Sequence, residues 1–442
     1  MNKENTDLVK SILNRTFFTA WKNQKYKEDE YKYGNYSGLE IQLNAVCDLK
    51  CKYCYYTNHG KDLYPAKIAK PDLVLKNLDI LLDWLSENKY YPKFELFSGE
   101  PFSQPIGFEA LEKLIDWHIK ENIESYTVIP TNFNFLFSDD KTKEVERLLS
   151  KGRENGFDIL LSISMDGKYC DVNRPFKDSN KTRTDEYYDK VFEFAKKWGC
   201  AFHPMIYSGN IEKWIDNFLW FQENFEKYGI PWTSIYLLEV RNVEWNKDQI
   251  KEFYKFIRFV VRWVYHKSSV SPANFPKFVF DNKMMNLFSM FSQTGRGIGC
   301  SIQSGIELRL GDMSVNLCHR SAYDGLNLFK FIVEDDKIVD IESLNYHMMV
   351  AMYSADNNNF PWCENCTIRD LCSGQCLGAM YETNGDPFIP IPTVCALAHA
   401  KVAAILDELW DLGLFQYFYD FTNKKKSIKL YMKYFKGENQ WN

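Results

Sequence analysis

The sequence predicts an α/β fold organised around a parallel sheet, and three observations carry that expectation. Six β-rich runs alternate with six stretches of helical period between residues 38 and 267, the pattern that right-handed strand-helix-strand crossovers leave in a sequence. Four polar motifs fall at or just past the ends of those runs, where parallel sheets place their ligands. The 12 cysteines gather mainly in two stretches, which puts two metal-bearing regions on the fold.

The first strand is expected over residues 39–46 and leads directly into Cys47, Cys51 and Cys54. A helix follows from Pro71, a residue suited to the first turn, and Leu73, Val74, Leu78, Leu81, Leu82 and Leu85 give it one apolar face. Further strands are expected at 94–97, 126–130, 159–165, 201–206 and 233–240, and further helices at 108–120, 141–154, 185–198, 211–228 and 248–266. Such a series closes either as a doubly wound sheet or as part of a barrel. Both bring the early cysteines, Ser98-Gly99-Glu100-Pro101, Thr131-Asn132 and Ser164-Met165-Asp166-Gly167 to one rim.

The alternation stops near residue 268, where 268–276 reads as a linker within a bridging stretch, 268–299. Only short strands are expected beyond it, at 306–310 and 329–341, and a region so poor in long apolar elements needs staples. A helical stretch at 402–412 opens an aromatic and lysine-rich tail. The expected organisation is therefore an N-terminal extension at 1–37, an α/β domain at 38–267, the bridge, a cysteine-rich domain at 300–400 and a helical tail at 401–442.

Composition narrows the function. The 442 residues are 45% hydrophobic, enough for a large core, and 54 basic against 59 acidic residues leave a net charge of −5. That balance offers no footprint for a phosphate backbone or an anionic membrane, so neither nucleic acid nor membrane is expected as a partner. The polar N-terminus has no apolar signal region and no stretch is long enough to cross a bilayer. A cytoplasmic location follows, where thiols stay reduced and cysteines serve metals or catalysis rather than disulfides.

Cys47, Cys51 and Cys54 are separated by three and then two residues. They could wrap one cubane from a single loop and leave one iron without a protein ligand, while a zinc ion with a distant fourth ligand is the competing reading. With aromatic Tyr53 just before the third cysteine and Ser98 to Pro101 after the second strand, the triplet resembles the signature of the radical S-adenosylmethionine superfamily. The resemblance implies a partial (β/α)6 barrel of TIM type. It also implies a four-iron cluster on Cys47, Cys51 and Cys54, whose open iron is chelated by the amino and carboxylate groups of the cofactor's methionine.

Ser98, Gly99, Glu100 and Pro101 match the family's Gly-Gly-Glu-Pro motif, with Ser98 in place of the first glycine. Glu100 would accept a charge-assisted hydrogen bond from the methionine ammonium. By the same resemblance Tyr53, Asn132 and Ser164 belong to the cofactor site, Ser164 at the ribose or methionine end, and Arg174 would pair with the methionine carboxylate. Asp166-Gly167 is also a common turn, and Arg174 reads equally as a surface charge. In this family one electron from the cluster breaks a carbon-sulfur bond of the cofactor and releases a 5′-deoxyadenosyl radical, which a deep pocket must shield from water.

Cys363, Cys366, Cys372 and Cys376 have intervals of two, five and three residues, followed by Cys395 and preceded by Cys300 and Cys318. Alone they would suit a zinc ribbon or knuckle. Behind the triplet they resemble the SPASM extension of enzymes that modify peptides and proteins. The resemblance assigns Cys363, Cys366, Cys372 and Cys395 to an outer auxiliary cluster, and Cys300, Cys318 and Cys376 to an inner one. Three [4Fe-4S] clusters and S-adenosylmethionine are the implied cofactors, and seven thiolates for eight auxiliary positions leave an inner iron that a substrate thiolate could ligate. His319 stands where relatives that oxidise sulfatase active sites carry an aspartate base, so it either takes a proton or hydrogen-bonds near the cluster. Cys170 is a hydrogen-atom donor or an inert buried thiol, and Cys200 is read as inert.

The expected function is hydrogen abstraction from a peptide or protein, with maturation of a ribosomally made peptide, by a thioether or other crosslink, as the favoured task. An anaerobic sulfatase-maturating enzyme is the alternative, disfavoured by His319. A non-catalytic zinc-binding interaction module would leave the strand-end triplet and Ser98 to Pro101 unexplained. The expected partners are the substrate and an electron donor such as a flavodoxin or ferredoxin. Because the 46 residues before Cys47 are too few for a leader-binding domain, substrate recognition is expected from the barrel, the auxiliary region or a separate leader-peptide-binding protein.

Overall fold

Strands and helices alternate through the first half of the chain: β1 (Gly38–Gln42), α1 (Pro71–Asn88), β2 (Lys93–Phe97), α2 (Pro105–Glu121), β3 (Ser125–Thr131), α3 (Asp139–Glu154), β4 (Phe157–Ile163) and α4 (Asp185–Trp198). Then come β5 (Ala201–Phe202), β6 (Met205–Ile206), α5 (Trp214–Tyr228), β7 (Leu238–Glu239), α6 (Lys247–Ser268), α7 (Phe275–Asp281) and α8 (Ser289–Ser292). The C-terminal part carries β8 (Gly305–Arg309), β9 (Ser314–Asn316), β10 (Phe329–Glu334), β11 (Lys337–Ser343), α9 (Leu377–Asn384), α10 (Pro392–Asp411), α11 (Phe415–Phe421) and α12 (Lys425–Lys436). This computed structural model describes residues 38–43, 46–55, 70–97, 99–123, 125–282, 287–292, 305–321, 324–345, 347, 360–372 and 374–436. Ser98, Cys300 and the extension 1–37 lie outside the described residues.

The chain divides into two compact units, one of Met1–Met165, Arg174–Ala201 and Ser301–Tyr353, the other of Asp166–Asn173, Phe202–Cys300 and Ser354–Asn442. Residues 300–400, grouped together on sequence, are thus shared between them.

In the first unit the strand order is β11-β10-β9-β8-β1-β2-β3-β4. β8, β1, β2, β3 and β4 are mutually parallel, and β9, β10 and β11 extend the sheet in antiparallel fashion. Register explains how the two faces differ. Leu39, Phe94 and Ile306 pair across three strands, as do Ile41, Leu96 and Leu308, and all six are fully buried. Their neighbours Glu40, Glu95 and Glu307 pair on the opposite face, because side chains alternate along a strand. The helices lie on one side: α1 touches α2, α2 touches α3, and α3 packs on β4. A doubly wound sheet would distribute successive helices over both faces, so this one-sided layer has the arrangement of a barrel wall with a polar inner face.

The expected strand at 329–341 is a hairpin. Asp335 and Asp336 both have positive φ, 47° and 60°, the backbone that a two-residue hairpin turn requires and that Asp tolerates.

Farther along the chain the expected strands at 201–206 and 233–240 are reduced to β5, β6 and β7. Pro204 interrupts the first, since it has no N–H for a ladder. Parallel pairing persists on both sides of it: Phe202 N donates to Ser234 O at 2.9 Å and Val240 N to Ile206 O at 2.9 Å. The expected helix at 402–412 begins ten residues earlier, at Pro392, a first-turn residue whose missing N–H costs the helix nothing. Cys395 therefore lies in the first turn of α10. That helix packs on α6, where Glu408 takes Arg258 at 2.6 Å and Arg262 at 2.5 Å. Within the stretch read as linker, residues 272–274 form a short turn of helix and α7 starts at Phe275.

Candidate active site

The end of β1 delivers the chain to Cys47, and a short-range polar frame holds the loop that follows. Leu49 N donates to Cys47 Sγ at 3.4 Å, and Cys54 N to Cys51 O at 3.1 Å. Leu49 bridges Phe176 in antiparallel fashion, with Lys50 N to Pro175 O at 2.9 Å and Lys177 N to Asp48 O at 2.8 Å. Asp48 is the hub. Its Oδ1 accepts from Asn132 Nδ2 and its Oδ2 from Asn134 Nδ2, both at 2.7 Å, and Asn134 N in turn donates to Asn132 Oδ1 at 2.9 Å. The cysteine loop at the end of β1 is thereby tied to the end of β3.

Glu100, just past the end of β2, closes the same rim. Its backbone N donates to Val46 O at 2.8 Å. Its carboxylate is buried and accepts three hydrogen bonds: Oε1 from Thr131 Oγ1 at 2.6 Å and Phe102 N at 3.2 Å, Oε2 from Asn132 N at 2.6 Å. Burial pushes its pKa up to about 7 even though these donors pull it down. Burial also pushes the Cys47 thiol up, with the Glu100 charge adding to the effect. Each carboxylate oxygen has two lone pairs, and Oε2 is shown with a single protein donor, so Glu100 retains capacity for a cationic ligand.

The structure brings Cys47, Glu100 and Asn132 together on one rim, and joins Tyr53 to Arg174. The Arg174 guanidinium lies 5.3 Å from the centre of the Tyr53 ring, and Arg174 is buried rather than a surface charge. Pro101 is buried at the start of a short helical turn, Gly99 precedes Glu100, and half-buried Ser164 follows β4 with its N donating to Thr131 O at 2.8 Å. Asp166 and Gly167, grouped with Ser164 on sequence, belong to the second unit. There Gly167 has φ +97° and leaves no room for a side chain against Asn217 and Phe221, so this stretch is a turn fixed by close packing. Cys170 and Cys200 are buried thiols pushed up in pKa by that burial.

The polar inner face carries a second group, in which His319 meets carboxylates that no motif announces. His319 donates its backbone N to Glu40 Oε2 at 2.7 Å and sets Nδ1 3.0 Å from the same oxygen. Glu40 has Glu95 and Glu307 as register neighbours. Burial pushes Glu307 up to about 8, the neighbouring Glu40 charge reinforces this, and Oε1 of Glu307 has no hydrogen-bond partner among the described residues. Tyr55, from the cysteine loop, has its ring centre 5.9 Å from that of His319. Buried Cys318 donates its backbone N to Ser321 Oγ at 3.0 Å. Only strand register, which is invisible in one sequence, assembles the three carboxylates.

In the second unit Cys363, Cys366, Cys372 and Cys395 line one open cavity together with Glu239, Arg241, Gln375 and Lys401. Cys372 is pushed up to about 11 by burial and by Cys395 and Cys366, so these sulfurs sense one another's charge. Gln375 Nε2 donates to Cys395 Sγ at 3.0 Å, and His399 Nε2 lies 3.7 Å from Cys366 Sγ. Arg241 pairs with Glu239 at 3.0 Å, Lys401 lies 3.6 Å from that carboxylate, and together they outweigh burial and hold Glu239 down to about 2. Four soft thiols around one space with cationic groups in its wall fit an anionic thiolate cluster.

Among the described residues no three His, Cys, Asp or Glu side chains converge tightly enough for a single metal ion. A cubane spreads its ligands over four corners and asks for wider spacing. Of the inner set, Cys318 lies in the first unit and half-buried Cys376, which precedes α9, in the second.

No protein-family model matches the chain, and no curated protein matches it by sequence. Solved structures do. The tagged and native forms of anSMEcpe with bound AdoMet match with TM-scores of 0.56 and 0.55 at 17% identity, over 89% and 86% of this chain and 98% of theirs. SuiB of Streptococcus suis bound to S-adenosylmethionine aligns over 81% of this chain and 74% of its own at 15% identity, with a TM-score of 0.49. The anSMEcpe protein is an anaerobic sulfatase-maturating enzyme, a radical S-adenosylmethionine enzyme with a SPASM domain. The chain has the fold expected from the sequence, an α/β partial barrel of TIM type with a helical C-terminal tail. No helix among the described residues is long and apolar enough to cross a membrane.

Proposed function

We propose that this chain is a radical S-adenosylmethionine enzyme that abstracts hydrogen from a peptide or protein substrate, with a ribosomally made peptide as its favoured target. The observation that carries the reading is the meeting of the Cys47 loop, Glu100 and Asn132 at the carboxyl ends of three adjacent parallel strands, β1, β2 and β3. Cys47, Cys51 and Cys54 would hold a four-iron cluster, and Cys363, Cys366, Cys372 and Cys395 an outer one. Cys300, Cys318 and Cys376 would hold an inner cluster. A reduced four-iron cluster with bound S-adenosylmethionine supplies a carbon-centred radical.

This chain's residues bind and shield. Glu100, buried and already fixed by three donors, accepts the ammonium of the cofactor's methionine. Arg174, laid over Tyr53, meets its carboxylate. Ser164 lies at the ribose or methionine end. The Glu40 and His319 pair supplies a titratable group on the inner face, placed to take the proton released when a crosslink forms and the substrate radical gives up its electron to an auxiliary cluster.

Anaerobic reconstitution followed by chemical reduction tests the reading. The expected result is about 12 iron atoms per chain and 5′-deoxyadenosine formation that Cys47→Ala, Cys51→Ala and Cys54→Ala each abolish. Stoichiometric zinc without visible absorbance, or undiminished 5′-deoxyadenosine from any of these variants, would overturn it.

A further inference from the structure

The C-terminal helix α12 inverts the local charge of an acidic chain. Between residues 423 and 436 there are six lysines and no acid, whereas the whole chain carries a net charge of −5. Its apolar side is already used: Ile428, Tyr431 and Met432 are 0%, 2% and 1% exposed. Lys425, Lys426, Lys429 and Lys433 are all exposed. A basic amphipathic helix with a free apolar face would read as a membrane binder, but here Ile428, Tyr431 and Met432 are packed away, and Leu430, 42% exposed, shares its face with Lys426 and Lys433.

Its position supplies the second observation. Ser427 Oγ donates to Asp370 Oδ2 at 2.9 Å, and Asp370 lies in the loop between Cys366 and Cys372, next to Arg369 in the wall of the cysteine cavity. The lysine row is therefore pinned to the segment that presents the outer cysteines. Exposed aromatic surface flanks it on α11, where Tyr417 and Phe421 are 46% and 51% exposed and Phe421 stacks on Phe280 at 5.3 Å. The exposed acids of the adjoining helices are engaged: Asp411 is paired with Arg258, and Asp420 accepts from Gln416 at 3.0 Å. Cationic side chains around an aromatic patch suit a transient protein contact, in which charge steers and apolar surface holds.

We propose that α12 and the adjoining surface of α11 form the docking face for a small electron-carrier protein with an acidic surface, which gives up one electron beside the Cys366–Cys372 loop. The carrier is oxidised by one electron, the group held by the four cysteines is reduced by one, and no bond or proton is transferred. Long-range attraction between the lysine row and the carrier's carboxylates would raise the encounter rate and make it fall with salt. The inference rests on the proposed radical enzyme, because only a redox role for the outer cysteines gives a carrier reason to dock there.

The test uses the cluster-loaded enzyme and oxidised flavodoxin as the probe, with binding followed between about 50 and 300 mM salt. The variant is Lys425→Gln/Lys426→Gln/Lys429→Gln/Lys433→Gln, with the matching four-arginine variant as the charge-conserving control. The expected result is association slowed about tenfold at low salt with a flattened salt dependence in the glutamine variant, and near-normal binding in the arginine one. Dithionite-driven 5′-deoxyadenosine formation should be equal in all three, since dithionite needs no docking face. Equal flavodoxin binding by wild type and glutamine variant overturns the proposal. So does lysine-dependent capture of duplex DNA or phosphatidylserine vesicles without flavodoxin binding. Absence of dithionite-driven cleavage in every protein would instead defeat the radical reading, while the binding comparison would still decide the docking face.

Discussion

Cys47 and its two neighbours occupy a loop that protein groups already hold in place, whereas Cys363, Cys366, Cys372 and Cys395 surround a space that protein groups do not fill. In the first unit, Asp48 is fixed by Asn132 and Asn134 at 2.7 Å, Lys50 by Pro175, and Glu100 by three donors. In the second, Cys363, Cys372 and Cys395 face one open cavity, and their thiols are pushed up by burial and by the neighbouring sulfurs. The difference teaches where metal is needed for shape and where only for chemistry. A loop tied to the ends of parallel strands borrows stiffness from the sheet. Cys363, Cys366 and Cys372 sit on short turns and loops without a sheet behind them, only Cys395 standing on a long helix, so binding free energy at these thiolates becomes folding free energy.

The largest expected effect separates the two sites on this ground. In cluster-loaded protein, Cys363→Ala or Cys372→Ala and Cys54→Ala should each remove about four iron atoms per chain. The first two should also cost the second unit several kcal/mol of stability, read as a drop in its melting temperature, while Cys54→Ala leaves melting nearly unchanged. Equal destabilisation by all three would break the comparison.

Acid gives a smaller contrast. His118 is 1% exposed on α2, stacked on Phe157 at 3.9 Å, and burial holds its pKa down to about 4 although the Leu114 carbonyl at 2.7 Å favours the charged form. The unfolded chain takes up this proton below about 6.5 and the folded one only near 4, so its contribution to stability is present above about 6.5 and lost as pH falls toward 4. Glu239 has the usual carboxylate sign: held down to about 2, it contributes above about 4.5 and is lost only as pH falls toward 2. At pH 5 the first unit should therefore have lost about 2 kcal/mol through His118, and the second nothing through Glu239. Denaturant titrations of wild type and His118→Phe at pH 7.5 and 5 isolate the first figure, and equal pH dependence in the two proteins would refute it.

The sequence carried the architecture because hydrophobic period and strand-end motifs are local signals. Helix 185–198 is found with the bounds expected, since Thr184 caps it by accepting from Tyr187 N and Gly199 ends it at φ +74°. Pro204 was in plain view, yet its effect on the strand at 201–206 depends on a partner strand that is distant in sequence. The same limit hid the frame around the cysteines. Asp48 stands between Cys47 and Cys51 and reads as loop polarity until Asn132 and Asn134 are brought 84 and 86 residues back to it. Glu40, Glu95 and Glu307 are ordinary strand residues until the register sets them side by side. Arg241, Glu239 and Lys401 likewise have no motif, and fold closure alone places them in the wall of the cysteine cavity.

The smallest effect concerns how stiff the first site is, and Glu100→Gln measures it. A glutamine can keep its carbonyl where Oε1 accepts from Thr131 and Phe102, but its amide then faces Asn132 N, donor against donor, at a position where the carboxylate accepts at 2.6 Å. Asn132 must shift, and its Nδ2 bond to Asp48 Oδ1 shifts with it. Leaving one buried donor unsatisfied costs about 1–3 kcal/mol, part of it released by relaxation of the loop. If Glu100 also accepts the ammonium of S-adenosylmethionine, the variant loses a charge-assisted contact as well, and affinity for the cofactor should fall about tenfold. Iron content should stay at the wild-type value, because the three thiolates are untouched. Equilibrium binding of S-adenosylmethionine to the two reconstituted proteins, with iron assayed on the same samples, decides the matter. Unchanged affinity would mean that Glu100 serves only as the brace between β2 and β3, and loss of iron along with affinity would mean that the cysteine loop takes its shape from this carboxylate rather than from the sheet.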